Sequence, residues 1–278
     1  MKRTQRQRTV RLVSYLLLVA VSLIIAFPIL WLVITALKTY PEIYGYPITY
    51  YPHEVTFEHF VTIGSMGFFK HFGNSIIVSG GTMLLSLAIG LFPAYAFSRY
   101  QFRGRGGLLA SALLFQMFPM AVLLLPIFIV LRNVGLLDTH LGLILAYIPF
   151  TTPITIVFLR SFFISVPKSL EEAALIDGCS LRQAFVRVIF PVTLPGIAAV
   201  GIYTFLFSWA ELMYAMSILV SEDVQNIPAF LSVFVGQYQT RWGPLFAGSI
   251  VSMIPPLVMF MLLQRYFIAG LTSGSVKG

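Results

Sequence analysis

Two carboxylates in this chain sit in settings where their chemistry matters. Glu172 lies in the polar stretch SLEEAALIDGCS, and Glu211 lies in the apolar stretch FSWAELMYAM. Ser169 followed three residues later by Glu172 reads as a capping box, in which hydroxyl and carboxylate each accept a bond from a free amide of the first helical turn. Glu211 is the one acidic residue inside an apolar run. Such a carboxylate is a functional candidate by default, facing either a polar pathway or a donor on a neighbouring helix. The other reactive side chains form no constellation. His53, His59, His71 and His140 show no metal-ligand spacing and read as surface residues. Cys179 is the single cysteine, so there is no intrachain disulfide and no CxxC metal site. The phosphate-binding pattern G-x-x-x-x-G-K-S/T is absent from the sequence. Nor does it hold the cluster of carboxylates or histidines that a membrane-embedded enzyme requires.

The elements that must position these residues are apolar. Of the 278 residues, 58% are hydrophobic and only 10% charged, with a mean hydropathy of +0.88. A soluble domain carries about 25% charged residues, so this composition indicates an integral membrane protein. Six spans are predicted, over about 12–37, 74–98, 107–131, 141–163, 194–216 and 245–264. Each is near the roughly 20 residues that cross about 30 Å of hydrocarbon as a helix. The first run is too long for the core of a signal peptide, which spans about 7–15 residues, and is expected to remain as a membrane helix. Pro28, Pro119, Pro126, Pro149, Pro153, Pro255 and Pro256 fall within spans, so kinks are expected.

The net charge of +8 does not point to nucleic acid, because the basic residues form no aromatic-interleaved patch. They are instead distributed by side. Of the 18 Lys and Arg, only Lys38, Lys70, Arg132 and Arg241 fall in the segments opposite the amino terminus. The positive-inside rule then places both termini in the cytoplasm. Two loops, 38–73 and 217–244, face the other side. The first is rich in Tyr and Pro and suits an interfacial aromatic belt.

Between the fourth and fifth spans lies the cytoplasmic insert 165–196. Ala173, Ala174 and Leu175 favour helix, Gly178 sits where a left-handed residue closes it, and Ser180 can cap a second helix that Pro191 stops. The insert reads as helix, glycine turn, helix. Leu170, Ala174, Leu175 and Ile176 need covering, either by this chain's own bundle or by a groove on a partner.

EAALIDGCSLRQAFVRVIFP (172–191) resembles the EAA loop of the membrane subunits of binding-protein-dependent ABC importers. Glu172, Ala173, Ala174, Gly178 and Pro191 match that pattern, while Val188 and Phe190 replace its Ile and Leu. FGNSIIVS (72–79), AYAFSRYQFRGR (94–105) and GLTSGSVKG (270–278) resemble the MalG-type branch, which imports maltose, trehalose and related sugars. FSWAELMYAM (207–216) resembles that branch's Trp-Asn-Glu stretch, with Ala210 in place of Asn.

The resemblance implies an all-α, six-helix permease of the type I (MetI-like) importer fold, forming a single domain over 1–278. It implies a second, MalF-like permease subunit, two ATPase subunits, an extracytoplasmic sugar-binding protein and membrane lipid as partners. This chain would bind no cofactor, with ATP and Mg on the partner ATPase. Glu172 would anchor the coupling helix in the ATPase, Ala173 and Ala174 would pack closely against it, and Gly178 would make the turn. Gly274 and Lys277 of the tail would reach the ATPase, and Gln237, Tyr238 and Trp242 the binding protein. Glu211, Tyr203, Trp209 and Tyr214 are candidates for the substrate pathway, the aromatics by stacking on sugar rings. The readings set against this one are an importer for a non-sugar solute and an ion-coupled transporter using Glu211.

Overall fold

A computed structural model of the chain describes residues 2–262, with side chains from residue 11 onward; Gly274 and Lys277 lie outside the described residues. The helices are α1 (Lys2–Ala36), α2 (Tyr40–Tyr44), α3 (Glu58–Ser65), α4 (Phe68–Arg99), α5 (Arg105–Phe115), α6 (Met120–Asn133) and α7 (His140–Ser165). They continue as α8 (Lys168–Ile176), α9 (Leu181–Ala184), α10 (Phe190–Ala210), α11 (Met213–Ile218), α12 (Ile227–Ser232) and α13 (Trp242–Ser252). Among the described residues there is no strand, only a single bridge between Val235 and Thr240.

Among the described residues five stretches are long and apolar enough to cross a membrane: Arg11–Ala36, Phe68–Arg99, His140–Ser165, Leu181–Ala210 and Trp242–Leu262. The span predicted over 107–131 is instead α5 and α6, bent by 96° at the break between them. Pro119 explains the break. It caps α6 in an extended conformation (φ −61°, ψ 130°), offers no N–H to continue α5, and disfavours helical backbone at Phe118. Pro28, Pro93, Pro149 and Pro153 lie inside helices without ending them.

By internal packing the chain falls into two compact units, each made of two stretches of sequence. The first takes in the chain through Phe68 together with Leu231–Met253. In it α13 packs against α1 and α3. His59 was expected at the surface but is fully buried there. Its Nε2 lies 2.8 Å from the Lys38 carbonyl, and its ring meets Tyr40 edge-on at 4.7 Å. An imidazole can be buried once one of its nitrogens finds a partner.

The second unit comprises Phe69–Phe230 with the residues from Ile254. Its centre is α7, packed on α10, α5 and α11. One core gathers Val78, Leu143, Tyr147, Phe150, Tyr214 and Ile218. Another gathers Ala94, Leu159, Phe163, Phe185, Ile189 and Val200. Small residues let these helices approach, as is usual where lipid removes the hydrophobic drive. A Cβ on Gly90 of α4 would come within 2.6 Å of Thr155 Cγ2 on α7. His71 is a second correction to the surface reading. It is buried, stacked on Phe230 at 4.5 Å, with its Nδ1 2.9 Å from the Gln225 carbonyl.

Candidate functional site

The insert folds as helix, glycine turn, helix, with two changes of detail. Helix α8 starts one residue before Ser169, with Pro167 as its cap and no side-chain capping bond. The Ser169–Glu172 capping box therefore does not form, because proline's fixed φ already begins the helix. The C-terminal closure follows the expectation. Gly178 has φ +87°, Gly178 N–H donates to the Leu175 carbonyl at 3.1 Å, and Cys179 N–H to the Ala174 carbonyl at 3.0 Å. That pair of bonds is a Schellman closure, which favours glycine. Ser180 caps α9, its hydroxyl accepting from Gln183 N–H while the Gln183 amide oxygen accepts from Ser180 N–H at 2.9 Å.

Pro191 does not stop the second helix. The chain turns once as a π-helix over Phe185–Ile189 and runs straight on into α10. In a π-turn each bond reaches five residues back. Phe190 N–H thus donates to the Phe185 carbonyl, which re-sets the ladder immediately before the residue that has no N–H to give.

The two adjacent glutamates point opposite ways. Glu172, Ala173 and Ile176 are exposed, Ile176 at 84%. Glu171 and Ala174 are buried against this chain's own helices. The two alanines expected to act together are thereby split: Ala173 faces out, Ala174 faces in. Glu171 Oε2 pairs with Arg99 Nε at 2.9 Å, both side chains nearly removed from solvent. The Arg99 Nε–H is not aligned for a hydrogen bond, so the contact is a charge pair. Tyr95 OH donates to Glu171 Oε1, and Arg99 Nη2 donates to the Val166 carbonyl at 3.1 Å. A groove of about 210 Å³ beside α8 is lined by Arg99, Tyr100, Lys168, Glu171, Glu172, Leu175 and Leu181. Sequence reading missed Glu171, although consecutive helical residues are about 100° apart and cannot share a face.

Glu211 lies at a break rather than inside a span. Helix α10 ends at Ala210, Glu211 is extended (φ −76°, ψ 126°), and α11 restarts at Met213. Its carboxylate accepts from Tyr214 N–H at 3.0 Å, from Ala215 N–H at 3.3 Å and from Tyr147 OH at 2.7 Å. The acid caps the restarting helix and ties it to α7. Tyr214 is fully buried and donates its OH to the Met120 carbonyl at 2.9 Å. Trp209 is 7% exposed and stacks on Phe205 at 5.4 Å. Both aromatics face packing neighbours, while Tyr203 is 37% exposed and meets only the edge of Phe158.

In the first unit, Gln237 and Tyr238 form the exposed tip of a turn between Val235 and Thr240. The turn is fastened beneath: Tyr44 OH donates to the Thr240 carbonyl at 2.5 Å and accepts from Trp242 N–H at 3.3 Å. Trp242 lines a cavity of about 270 Å³ with Trp31, Lys38, Glu42 and Phe246. Burial pulls the Lys38 amine below its usual range, and the Glu42 carboxylate pushes it back up.

Residues 86–273, which include α7–α10 and the whole insert, match the family model described as "Binding-protein-dependent transport system inner membrane component". The chain is 37% identical to the trehalose transport system permease protein SugB of Mycobacterium tuberculosis, over 90% of this chain and 92% of that one. It is 36% identical to the diacetylchitobiose uptake system permease protein DasC of Streptomyces coelicolor, over 91% and 92%. Its fold is similar to a chain in the crystal structure of a bacterial ABC transporter involved in the import of the acidic polysaccharide alginate. That match has a TM-score of 0.77 at 22% identity and covers 94% of this chain and 97% of the other. The buried carboxylates organise helices rather than a reaction centre, the spans are those of a permease, and the chain belongs to the inner-membrane components of binding-protein-dependent ABC transport systems.

Proposed function

We propose that this chain is the membrane-spanning subunit of an ATP-driven importer that receives a di- or oligosaccharide, of the trehalose or maltose kind, from an extracytoplasmic binding protein and passes it to the cytoplasm. The observation that carries this reading is α8: a helix closed by a Schellman turn at Gly178, presenting Glu172, Ala173 and Ile176 outward. A short helix held rigidly on one face and bare on the other is suited to engaging a partner that moves it. Family membership supports an ATPase subunit as that partner. ATP and Mg would be bound there, with Glu172 as the anchoring charge and Pro191 at the root of the second helix.

The relatives that transport trehalose and diacetylchitobiose support a carbohydrate as the solute. Both termini would lie in the cytoplasm, with Gln237, Tyr238 and Trp242 on the side of the binding protein and Gly274 and Lys277 reaching the ATPase. A second, MalF-like permease subunit would complete the pathway. Tyr203 and Glu211 are this chain's candidates to face it, with Trp209 and Tyr214 behind them.

The test is affinity purification of the chain from its native membrane, with identification of co-purifying proteins and an ATPase assay in the presence of candidate sugars. An ATPase and a second permease should be recovered with the wild type, and Glu172→Ala should lose the ATPase. A lone folded protein with no ATPase would overturn the reading. Reporter fusions at Tyr238 and at the amino terminus should read opposite sides of the membrane.

A further inference from the structure

Arg99 stands in the last turn of α4 and ties it both to α8 and to the end of α7. Its Nε pairs with Glu171 of α8 at 2.9 Å, and its Nη2 donates to the carbonyl of Val166, which follows the last residue of α7, at 3.1 Å. The side chains of Arg99 and Glu171 are 6% and 12% exposed. One turn earlier on α4, Tyr95 donates its OH to the other oxygen of Glu171. The Tyr95 ring is itself clamped edge-on by Phe163 of α7 at 5.6 Å and by Phe185 of the π-turn at 4.8 Å. Both oxygens of one carboxylate are thus held by two residues of a single membrane helix. Burying this pair has a desolvation cost that packing alone would not incur, and such pairs serve geometric definition better than stability.

We propose that Glu171 is the positioning residue of the coupling helix, transmitting displacement of α8 to α4 through Arg99 and Tyr95, and that it is separate from the docking charge Glu172. This rests on the importer reading given above. Glu172 holds the partner, and Glu171 makes the partner's movement the membrane helix's movement. If α8 slid on α4 without this link, the ATPase would close and hydrolyse while the spans stayed put. A permease subunit acting through another chain's hydrolysis would then lose coupling while keeping assembly.

The experiment uses the complete transporter in proteoliposomes, with ATP hydrolysis and sugar uptake measured together and the amount of co-purified ATPase recorded. Glu171→Gln is expected to retain the ATPase but to move about fivefold less sugar, or lower still, per ATP hydrolysed. Arg99→Gln should do the same. The double variant Glu171→Gln/Arg99→Gln should be no worse than either single one, since it leaves no unpaired buried charge. Tyr95→Phe removes only the hydroxyl and should give a milder loss in the same ratio. It also keeps the test sound if a charge variant folds poorly. Normal uptake per ATP in Glu171→Gln and Tyr95→Phe would overturn the proposal, and so would additive losses in the double variant. Loss of the ATPase from Glu171→Gln would instead place Glu171 in the docking surface and equally defeat it. Absence of any ATPase from the wild-type preparation would mark failure of the importer reading itself.

Discussion

Gly178, Glu211 and Asp138 each hold a piece of backbone that other residues would not. At φ +87° a β-carbon on residue 178 is strained whatever space surrounds it. Gly178→Ala should lower the stability of the insert by about 1 kcal/mol, and Gly178→Asn by less, because Asn tolerates the left-handed region. Limited proteolysis of the insert would rank the three. Glu211→Leu strands Tyr147 OH and the amides of Tyr214 and Ala215, at about 1–3 kcal/mol for each buried group left unpaired. A thermal midpoint in detergent should fall sharply for Leu and less for Gln, which keeps an acceptor for Tyr147. Asp138 has φ +60° and accepts from the Ser221 hydroxyl and from the amides of Ser221 and Val220. The Ser221 hydroxyl, then its amide, hold the Asp138 carboxyl below the usual carboxylate range, against the opposing effect of burial. A depressed folded-state value stabilises above the unfolded value, near pH 4, and that contribution is lost as pH falls through the folded value. Asp138→Asn should flatten this acid-side dependence by lowering the thermal midpoint at neutral pH, where the ionised carboxylate contributes, with variant and wild type converging at low pH.

At the scale of elements, the π-turn over Phe185–Ile189 is the feature with the sharpest consequence. A π-turn holds one residue more than the α-turn it replaces. Deleting Val186, which is 54% exposed, should convert it to α-helix while leaving α10 in register with α7, and the variant should fold. Deleting Ile197 within α10 should instead rotate one end of that helix by about 100° against its neighbours and prevent folding; expression and a detergent thermal scan separate the two. What was legible in the sequence follows local chemistry. Gly178 and the Ser180 cap depend on residues at most three or four positions apart, so spacing reveals them. The break at Glu211 carries no Pro or Gly in WAELMY, and the partner that ties it to α7, Tyr147, lies 64 positions away, so the spacing of turn residues does not announce it. Pro191 was misread because a proline normally ends a helix, and only the π-turn before it removes the need. The Glu171–Arg99 pair spans 72 positions, yet its direction was half visible: two consecutive glutamates on a helix diverge by about 100°, so both cannot point straight at one partner.

Across the whole molecule, the most apolar span is also the one least covered by the chain itself. In α1 the window with the highest hydropathy, within Arg11–Ala36, is 0% buried, against 39% for the windows of His140–Ser165 and Leu181–Ala210. Lipid or another subunit must cover it, so α1 is the helix whose solvation should change most on assembly. On the importer reading proposed above, attached fluorophores or spin labels along Leu16–Ile24 should shift toward a protein environment when the second permease subunit is added. Side chains of α7 should not. One further property of the insert bears on how such movement can be followed. Cys179 is the chain's single thiol, lies half-buried beside the turn glycine, and its amide closes α8 through the Ala174 carbonyl. The native chain thus carries a built-in attachment point for one spectroscopic probe at the turn that closes α8, requiring no cysteine-free background in this subunit. On the importer reading proposed above, its label should report immobilisation when an ATPase docks and, through a change in water accessibility, any movement of α8 that follows.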